Sequence, residues 1–279
     1  MDLPVPSDEA INHSNQLKAI VQSVIEQEGG ALPFIKYMEL ALYYPGLGYY
    51  SAGARKFGEE GDFITAPELG GGFAYALANA GVSVLDQLDD TAVWFEVGAG
   101  TGAFAEKILL RLQALDKLPV HYWILEPSAD LRERQQQRLK TALQPEVFAR
   151  CVWLDAPPEE SWQGVMVANE VIDALPTTRF IIDEGEVYEE CVALDIQQNF
   201  RRVMCPADGM VAGAVRHIER NLDRLFADGY CSEVLPQLPY WIQAVAGTMQ
   251  KGALLFVDYG YARDEYYLPE RDDGTLLCY

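Results

Sequence analysis

The feature that most constrains the fold is a glycine-rich turn between an apolar segment and an amphipathic one. Residues 92–97 are apolar except for Glu96, and Gly98, Gly100 and Gly102 follow at alternate positions. The residues after Gly102 place apolar side chains at helical spacing. A strand that passes through glycines into a helix is typical of open α/β sheets, which bind ligands at the strand ends. The sequence therefore predicts a ligand site at this turn.

Further short apolar segments along the chain predict four more strands. They are bounded by polar or turn-forming residues, and helical patterns lie between them, which indicates a mostly parallel sheet covered on both faces. We therefore predict an α/β fold of the Rossmann-like type. The five predicted strands are 92–97, 122–125, 147–154, 165–168 and 254–257.

The chain divides into three predicted parts. Residues 1–90 predict a helical and irregular N-terminal extension packed on the core, with helices at 15–27 and 32–42. The Rossmann-like core comprises 91–177 and 251–279. Residues 178–250 are too many for a single crossover and predict an inserted α+β cap. Within the cap we expect antiparallel strands at 178–183 and 186–196 and helices at 211–227 and 236–250.

Composition excludes several classes of protein. The net charge of -21 argues against a nucleic-acid partner, because phosphates would be repelled. It is compatible with a basic protein substrate, and equally with simple solubility. Five cysteines without a C-x-x-C pair and three distant histidines predict neither a disulfide framework nor a metal site. With no signal-peptide pattern and no apolar run near the ~20 residues that span a bilayer, we expect no membrane span and a cytoplasmic location.

Two cofactor classes fit the glycine turn. Gly98, Gly100 and Ala103 satisfy the dinucleotide pattern, whereas the additional Gly102 also suits S-adenosylmethionine. The carboxylate of Glu96 would repel a pyrophosphate but attract an ammonium or sulfonium group. Glu96 therefore favours S-adenosylmethionine, although a strand-end glutamate can also cap a turn.

Polar residues follow the next three predicted strands. Glu126 could accept both ribose hydroxyls of an adenosine, or it could cap the following helix. Asp155 could accept the adenine amine while the N–H of Ala156 contacts the ring, or it could stabilise a proline-rich turn. Asn169 and Glu170 end the fourth strand and are expected to face the methyl donor or its acceptor.

Several strings of residues resemble one known family. They are GDFITAPE at 61–68, EVGAGTG at 96–102, EPS at 126–128, NEVIDALP at 169–176, DYGY at 258–261 and GTL at 274–276. From about residue 32 onward the chain resembles the MidA/NDUFAF7 family of class I S-adenosylmethionine-dependent methyltransferases. The resemblance implies S-adenosyl-L-methionine as cofactor. For the mitochondrial members it also implies protein-arginine methylation of a respiratory-complex subunit.

If the methyl acceptor is an arginine, several polar and acidic residues have expected roles. A guanidinium is held best by carboxylates that bind it in a bidentate manner. The expected catalytic residues are Glu170 and Asp173, with Asn169 beside them, although Asp173 could instead cap a helix. Substrate contacts are expected from Asp62, Thr65 and Glu68, of which the two acids could equally cap a turn. In-line methyl transfer requires no metal.

Three alternatives to a protein methyltransferase stay open at this point. They are an NAD-dependent oxidoreductase, a non-catalytic assembly factor that binds cofactor and a partner protein, and a small-molecule methyltransferase. Members of the family continue into a sixth and a seventh strand, whereas only 20 residues follow Tyr259 here. We therefore expect the C-terminal strands to be missing and the open sheet edge to favour a homodimer.

Overall fold

The protein is described from a computed structural model that covers residues 6–51 and 71–276. The chain forms two compact units, each built around its own sheet. The antiparallel-sheet unit comprises Met1–Ala52, Leu175–Leu238 and Gly260–Tyr279, and the parallel-sheet unit comprises Gly53–Ala174 and Pro239–Tyr259.

Ten strands and nine helices lie within the described residues. The strands are β1 (Ala31–Pro33), β2 (Val93–Val97), β3 (Tyr122–Leu125), β4 (Cys151–Leu154), β5 (Trp162–Asn169), β6 (Thr178–Asp183), β7 (Glu186–Leu194), β8 (Phe200–Pro206), β9 (Cys231–Val234) and β10 (Met249–Val257). The helices are α1 (Asp8–Gln27), α2 (Phe34–Tyr43), α3 (Gly72–Leu85), α4 (Ala103–Ala114), α5 (Ala129–Ala142), α6 (Pro145–Phe148), α7 (Gly209–Leu222), α8 (Leu238–Ala246) and α9 (Arg263–Tyr266).

The parallel sheet has the strand order β10-β5-β2-β3-β4, and every pair within it is parallel. The predicted Rossmann-like α/β fold is confirmed. Connections from β2 lead toward β3 and β4, whereas β5 lies on the other side of β2, so the order reverses between β2 and β5. Val97 pairs with Leu125 on one side and Ala168 on the other. The carboxyl ends of three strands therefore meet at one edge.

Both faces of β2 are buried, which explains its continuous apolar sequence. All five of its residues are buried. Trp94 lies in a cluster with apolar side chains of α3, α4 and α5, whereas Phe95 lies in a second cluster with Val245 and Ala246 of α8. Helices therefore cover the sheet on both faces, as expected for parallel strands.

Three predicted strands in the parallel sheet begin several residues away from the predicted start. β5 begins at Trp162 rather than at residue 165, since residues 162–164 pair with β10. Residues 145–148 form α6 rather than the start of a strand, because Pro145 stands at the first helical position. β10 begins at Met249 rather than at residue 254, since Lys251 and Gly252 carry no apolar signal yet extend the ladder, which has a bulge between Met249 and Lys251.

The antiparallel sheet has the order β1-β7-β6-β9, and β8 pairs with residues 188–194 of β7 along the edge opposite to β1 and β6. The hairpin of β6 and β7 confirms the two antiparallel strands predicted there. The sequence did not predict β8, in which only Phe200, Val203 and Cys205 are partly buried, or β9, whose Ser232 and Glu233 interrupt the apolar pattern. Both were missed because the signal for half-buried or polar-interrupted strands is weak.

Four predicted helices also have a displaced boundary. The helix predicted from residue 15 begins at Asp8, because the side chain of Ser7 accepts from the N–H of Ala10 and caps the helix there. The helix predicted from residue 32 begins at Phe34, because residues 31–33 pair with β7. α7 ends at Leu222 rather than at 227, where Asp223 adopts a left-handed backbone conformation with φ of 51°. α8 ends at Ala246 rather than at 250, since β10 begins three residues later.

The two units divide the chain differently from the three predicted parts. β1 forms main-chain hydrogen bonds with β7, so the N-terminal residues belong to the antiparallel-sheet unit. All of α8 was predicted in the cap, but Pro239–Ala246 belong to the parallel-sheet unit, because Val245 and Ala246 pack in the cluster around Phe95.

A buried arginine joins three strands of the antiparallel sheet. The guanidinium of Arg179 on β6 donates to Glu190 on β7 at 3.1 Å, to Glu233 on β9 at 2.5 Å and to Asp273 at 2.6 Å. Atoms of Glu190, Cys231 and Asp273 lie close enough together to hold a metal ion. The Arg179 cation already occupies their centre and donates to the Cys231 sulfur at 3.1 Å, so the cluster is an ion-pair network.

None of the helices within residues 6–51 and 71–276 combines the length and the apolar character that a membrane crossing requires.

Candidate active site

The glycine turn follows β2 directly, as predicted. Gly98, Gly100 and Gly102 have φ values of 69°, 52° and 79°, all in the left-handed region that favours glycine. The turn is anchored by the N–H of Gly98, which donates to the carbonyl of Leu125 at 2.9 Å. α4 begins at Ala103, and no side chain caps its N-terminus. The positive end of α4 therefore lies beside the turn.

The three glycines differ in the space around them. A Cβ at Gly98 would lie 2.8 Å from Cγ2 of Val171, and one at Gly102 would lie 3.3 Å from the Cα of Gln135. A Cβ at Gly100 would meet no atom within 4 Å. Gly98 and Gly102 therefore allow close packing within the protein, whereas the backbone at Gly100 is open to a ligand.

Glu96 is fully buried beneath the turn. Its carboxylate accepts a hydrogen bond of 2.6 Å from the hydroxyl of Tyr122 on β3. Burial raises the pKa of Glu96 to about 7, Tyr122 opposes the shift, and the nearby Glu126 adds to it. Near neutral pH the side chain is therefore only partly charged, and its predicted attraction for a cationic cofactor stays a prediction.

Glu126 lies at the end of β3 and is also buried. One carboxylate oxygen accepts from the N–H of Ser128 at 3.0 Å, and the other accepts from the amide of Gln135 at 3.2 Å. Burial raises its pKa to about 7 against these hydrogen bonds and the charge of Arg132. Ser128 itself caps α5.

Gln135 was not predicted as a site residue, although it connects three parts of this site. Its amide nitrogen donates to the carbonyl of Gly100 at 2.9 Å as well as to Glu126, and its oxygen accepts from the indole of Trp153 at 3.0 Å. It is completely buried. The available sequence signal was its position four residues from both Leu131 and Leu139, on the apolar side of a mostly polar helix, but its meaning depends on the tertiary contacts.

Asp155 points away from the sheet into solvent. Its side chain is 91% exposed and forms an ion pair of 2.7 Å with Arg132, which also donates to the carbonyl of Leu154 at 2.6 Å. Ala156 follows in an exposed loop. The predicted contacts of Asp155 and Ala156 with adenine stay predictions.

Asn169 is the last residue of β5 and Glu170 follows it. β5 lies next to β2, the strand that leads into the glycine turn. Asn169 is half-buried and pairs with Val257, and the N–H of Glu170 donates to the carbonyl of Val257 at 2.8 Å. Glu170 then adopts φ of 51°, which is uncommon for a residue with a Cβ. Its carboxylate accepts a hydrogen bond of 3.2 Å from the hydroxyl of Tyr259.

Asp258 and Tyr259 were not predicted as site residues. One carboxylate oxygen of Asp258 accepts from the backbone N–H groups of Val171, Ile172 and Asp173. Burial raises the pKa of Asp173 to about 6, and the carboxylates of Asp258 and Glu170 raise it further. The family string at 258–261 was the signal that could have drawn attention to these two residues.

The predicted substrate residues Asp62, Thr65 and Glu68 lie outside the described residues, as does the whole string at 61–68. Their roles stay predictions.

Comparison with known proteins identifies the family. Residues 76–279 match the family model described as "Putative S-adenosyl-L-methionine-dependent methyltransferase". The chain belongs to this family. A crystal structure of a Burkholderia thailandensis protein bound to S-adenosyl-homocysteine is 37% identical and superposes with a TM-score of 0.88, covering 98% of this chain and 70% of that one.

Two curated relatives are more distant. Both are named "Protein arginine methyltransferase NDUFAF7, mitochondrial". The Xenopus tropicalis protein is 25% identical over 83% of this chain and 58% of its own length. The Bos taurus protein is 27% identical over 83% and 56%. The chain thus spans little more than half the length of these relatives. Family membership favours S-adenosylmethionine over the dinucleotide that the glycine turn alone left open.

Proposed function

We propose that this chain binds S-adenosyl-L-methionine at the glycine turn and transfers its methyl group to an arginine side chain of a protein. The observation that carries the proposal is the open backbone of Gly100, next to the buried carboxylate of Glu126 at the following strand end. Family membership and the S-adenosyl-homocysteine bound to the Burkholderia protein support the cofactor. The names of the two curated relatives support arginine as the acceptor.

The residues present fit this cofactor. Each carboxylate oxygen of Glu126 accepts one hydrogen bond within the protein, which leaves a lone pair on each for a ribose hydroxyl. Gln135 holds the carbonyl of Gly100, so the open part of the turn is fixed before a ligand arrives. The bound cofactor would supply an electrophilic methyl group on a sulfonium.

Two carboxylates would hold the acceptor. Glu170 and Asp173 lie on the same short segment after β5, and a planar guanidinium offers five N–H donors to such a pair. With a pKa of about 6, Asp173 is mostly ionised at neutral pH. The pair would orient one guanidinium nitrogen and accept the proton that this nitrogen loses on methylation, with Asn169 beside it.

The first test of this proposal is cofactor binding. Gly100→Val adds a branched side chain where no protein atom lies within 4 Å, so it should block the ligand. Because the backbone there has a left-handed φ, the change also strains the turn, and the control has to carry the same strain. Gly46→Val is the matched control, because Gly46 has φ of 71° and equally open surroundings in the other unit. Calorimetric titration with S-adenosylmethionine should show at least about tenfold weaker binding for Gly100→Val and wild-type binding for Gly46→Val.

The second test identifies the acceptor. Labelled S-adenosylmethionine is incubated with a cell lysate and the wild-type chain, and labelled bands are analysed for methylated arginine. Binding without any labelled band would favour the assembly-factor alternative. A label on small molecules alone, or on a different side chain, would overturn the acceptor assignment, and equal binding by Gly100→Val would overturn the cofactor site. The homodimer and the cytoplasmic location stay predictions.

A further inference from the structure

A single carboxylate holds the backbone of the segment after β5. Oδ2 of Asp258 accepts from the N–H groups of Val171 at 3.2 Å, Ile172 at 2.8 Å and Asp173 at 3.2 Å. Its other oxygen accepts from the N–H of Tyr259 at 2.9 Å. Four backbone donors therefore converge on the carboxylate at the end of β10.

This segment carries both carboxylates proposed to hold the acceptor and one contact with the glycine turn. Glu170 precedes the three residues whose N–H groups donate to Asp258, and Asp173 is the last of these three. Between them, the side chain of Val171 lies against Gly98, where it would be 2.8 Å from an added Cβ. The segment therefore connects the cofactor side of the site with the acceptor side.

The conformation of the segment favours an anion at this position. Glu170 adopts a left-handed φ, which is strained for a residue with a Cβ and persists only where neighbouring contacts enforce it. Three successive N–H groups pointing the same way form a concave donor site that favours a negative charge. Asparagine has the shape of aspartate but lacks the charge, and its NH₂ group would face donors.

We propose that Asp258 is a positioning residue for methyl transfer: it fixes residues 171–173 so that Glu170 and Asp173 keep a set distance from the glycine turn. The effect on methyl transfer rests on the proposed function, whereas the role of Asp258 in fixing residues 171–173 does not. Asp258 would act through the backbone it holds and touch neither cofactor nor acceptor.

The charge of Asp258 has a second effect on the same site. Asp173 is influenced by Asp258, by Glu170 on its own segment, and by burial, which is the largest cause of its raised pKa. The hydroxyl of Tyr259 is neutral and donates to Glu170. Removing the charge of Asp258 should therefore lower the pKa of Asp173, an effect that a general loss of stability would not produce.

The experiment compares Asp258→Asn with Asp90→Asn, an exposed aspartate before β2 in the same unit. Hydrogen exchange followed by NMR should show the amides of Val171, Ile172 and Asp173 exchanging at least about tenfold faster in Asp258→Asn, with the β2 amides unchanged. The side-chain carboxyl carbon of Asp173 should titrate about half a pH unit lower or more. Asp90→Asn should match the wild type in both measurements. Unchanged exchange of the three amides in Asp258→Asn would overturn the proposal.

Two further outcomes keep the test decisive. If Asp258→Asn does not fold, hydrogen exchange of the wild type tests the proposal instead. Amides of residues 171–173 that exchange without protection would contradict the hydrogen bonds to Asp258, and protected amides would support them. If the wild type transfers methyl groups to a lysate protein, Asp258→Asn should lower kcat at least about tenfold while the dissociation constant for S-adenosyl-homocysteine changes less than about threefold. A wild type without transfer refutes the proposed function, and hydrogen exchange still tests the role of Asp258 in holding the segment.

Discussion

At the scale of single residues, the site is defined by buried carboxylates whose partners lie on the following strand or helix. Glu96 pairs with Tyr122, and Glu126 pairs with Gln135. Both glutamates were recognised from their positions at strand ends. Their raised pKa values could not be predicted from the sequence, because burial depends on which helices cover the strands.

The pKa of Glu96 predicts how stability depends on pH. The folded state keeps the proton up to about pH 7, whereas the unfolded state loses it near the usual value of 4.5. The folded state therefore binds more protons between these values, and stability falls as pH rises through that window. Glu96→Gln mimics the protonated form. It should match the wild type near pH 5 and exceed its free energy of unfolding by about 1 kcal/mol or more at pH 8.

Chemical denaturation at several pH values measures this effect. Glu126, with a pKa that is also near 7, will leave some pH dependence in the variant. Asp90→Asn should retain the wild-type profile. A Glu96→Gln variant that loses stability between pH 5 and pH 8 as steeply as the wild type would show that Glu96 is charged in the folded protein.

At the scale of secondary-structure elements, apolar strands buried on both faces were predicted well and half-buried strands poorly. β2, β3 and β5 have near-continuous apolar sequences, so their positions follow from the sequence alone. The first part of β10 and all of β8 lack that signal, and they are strands because a neighbouring strand supplies hydrogen-bonding partners.

The pairing of β10 with β5 depends on two glycines that lie opposite each other. A Cβ at Gly252 would lie 1.8 Å from the carbonyl oxygen of Gly164, and Gly252 has φ of 147°. Gly252→Ala should therefore lower the free energy of unfolding by about 2 kcal/mol or more, as overpacking and backbone strain add.

A glycine in a helix provides the matched control for this prediction. Gly213 lies within α7, and a Cβ there would meet no atom within 4 Å. Gly213→Ala should raise the free energy of unfolding by about 0.5–1 kcal/mol. Urea denaturation measures both changes, and the m-values should stay unchanged. A Gly252→Ala variant as stable as the wild type would contradict the close approach of β10 and β5.

At the scale of the whole molecule, the dominant property is the net charge of -21. A chain this acidic attracts basic partners over distances comparable to the Debye length, and salt screens that attraction. The charge says nothing about the fold, but it bears on the kind of acceptor that the proposed activity would use.

A basic protein acceptor predicts a salt-dependent KM. Raising NaCl from about 50 mM to about 300 mM should increase the KM for the identified acceptor several-fold, because the Debye length falls over this range. S-adenosyl-homocysteine carries no net charge, so its dissociation constant should change by less than about twofold. Steady-state kinetics and calorimetry provide the two values, and a KM independent of salt would argue against charge-driven recognition of the acceptor.

The sequence by itself determined the α/β class, the five parallel strands, the glycine turn and the family, because each depends on local spacing or on short contiguous strings. Only the tertiary structure decided the strand order, the antiparallel sheet that unites β1 with β7, and the convergence of Asp258 on residues 171–173. Those features join residues far apart along the chain. Contacts of this kind arise from hydrogen-bonding partners and burial that no local pattern records.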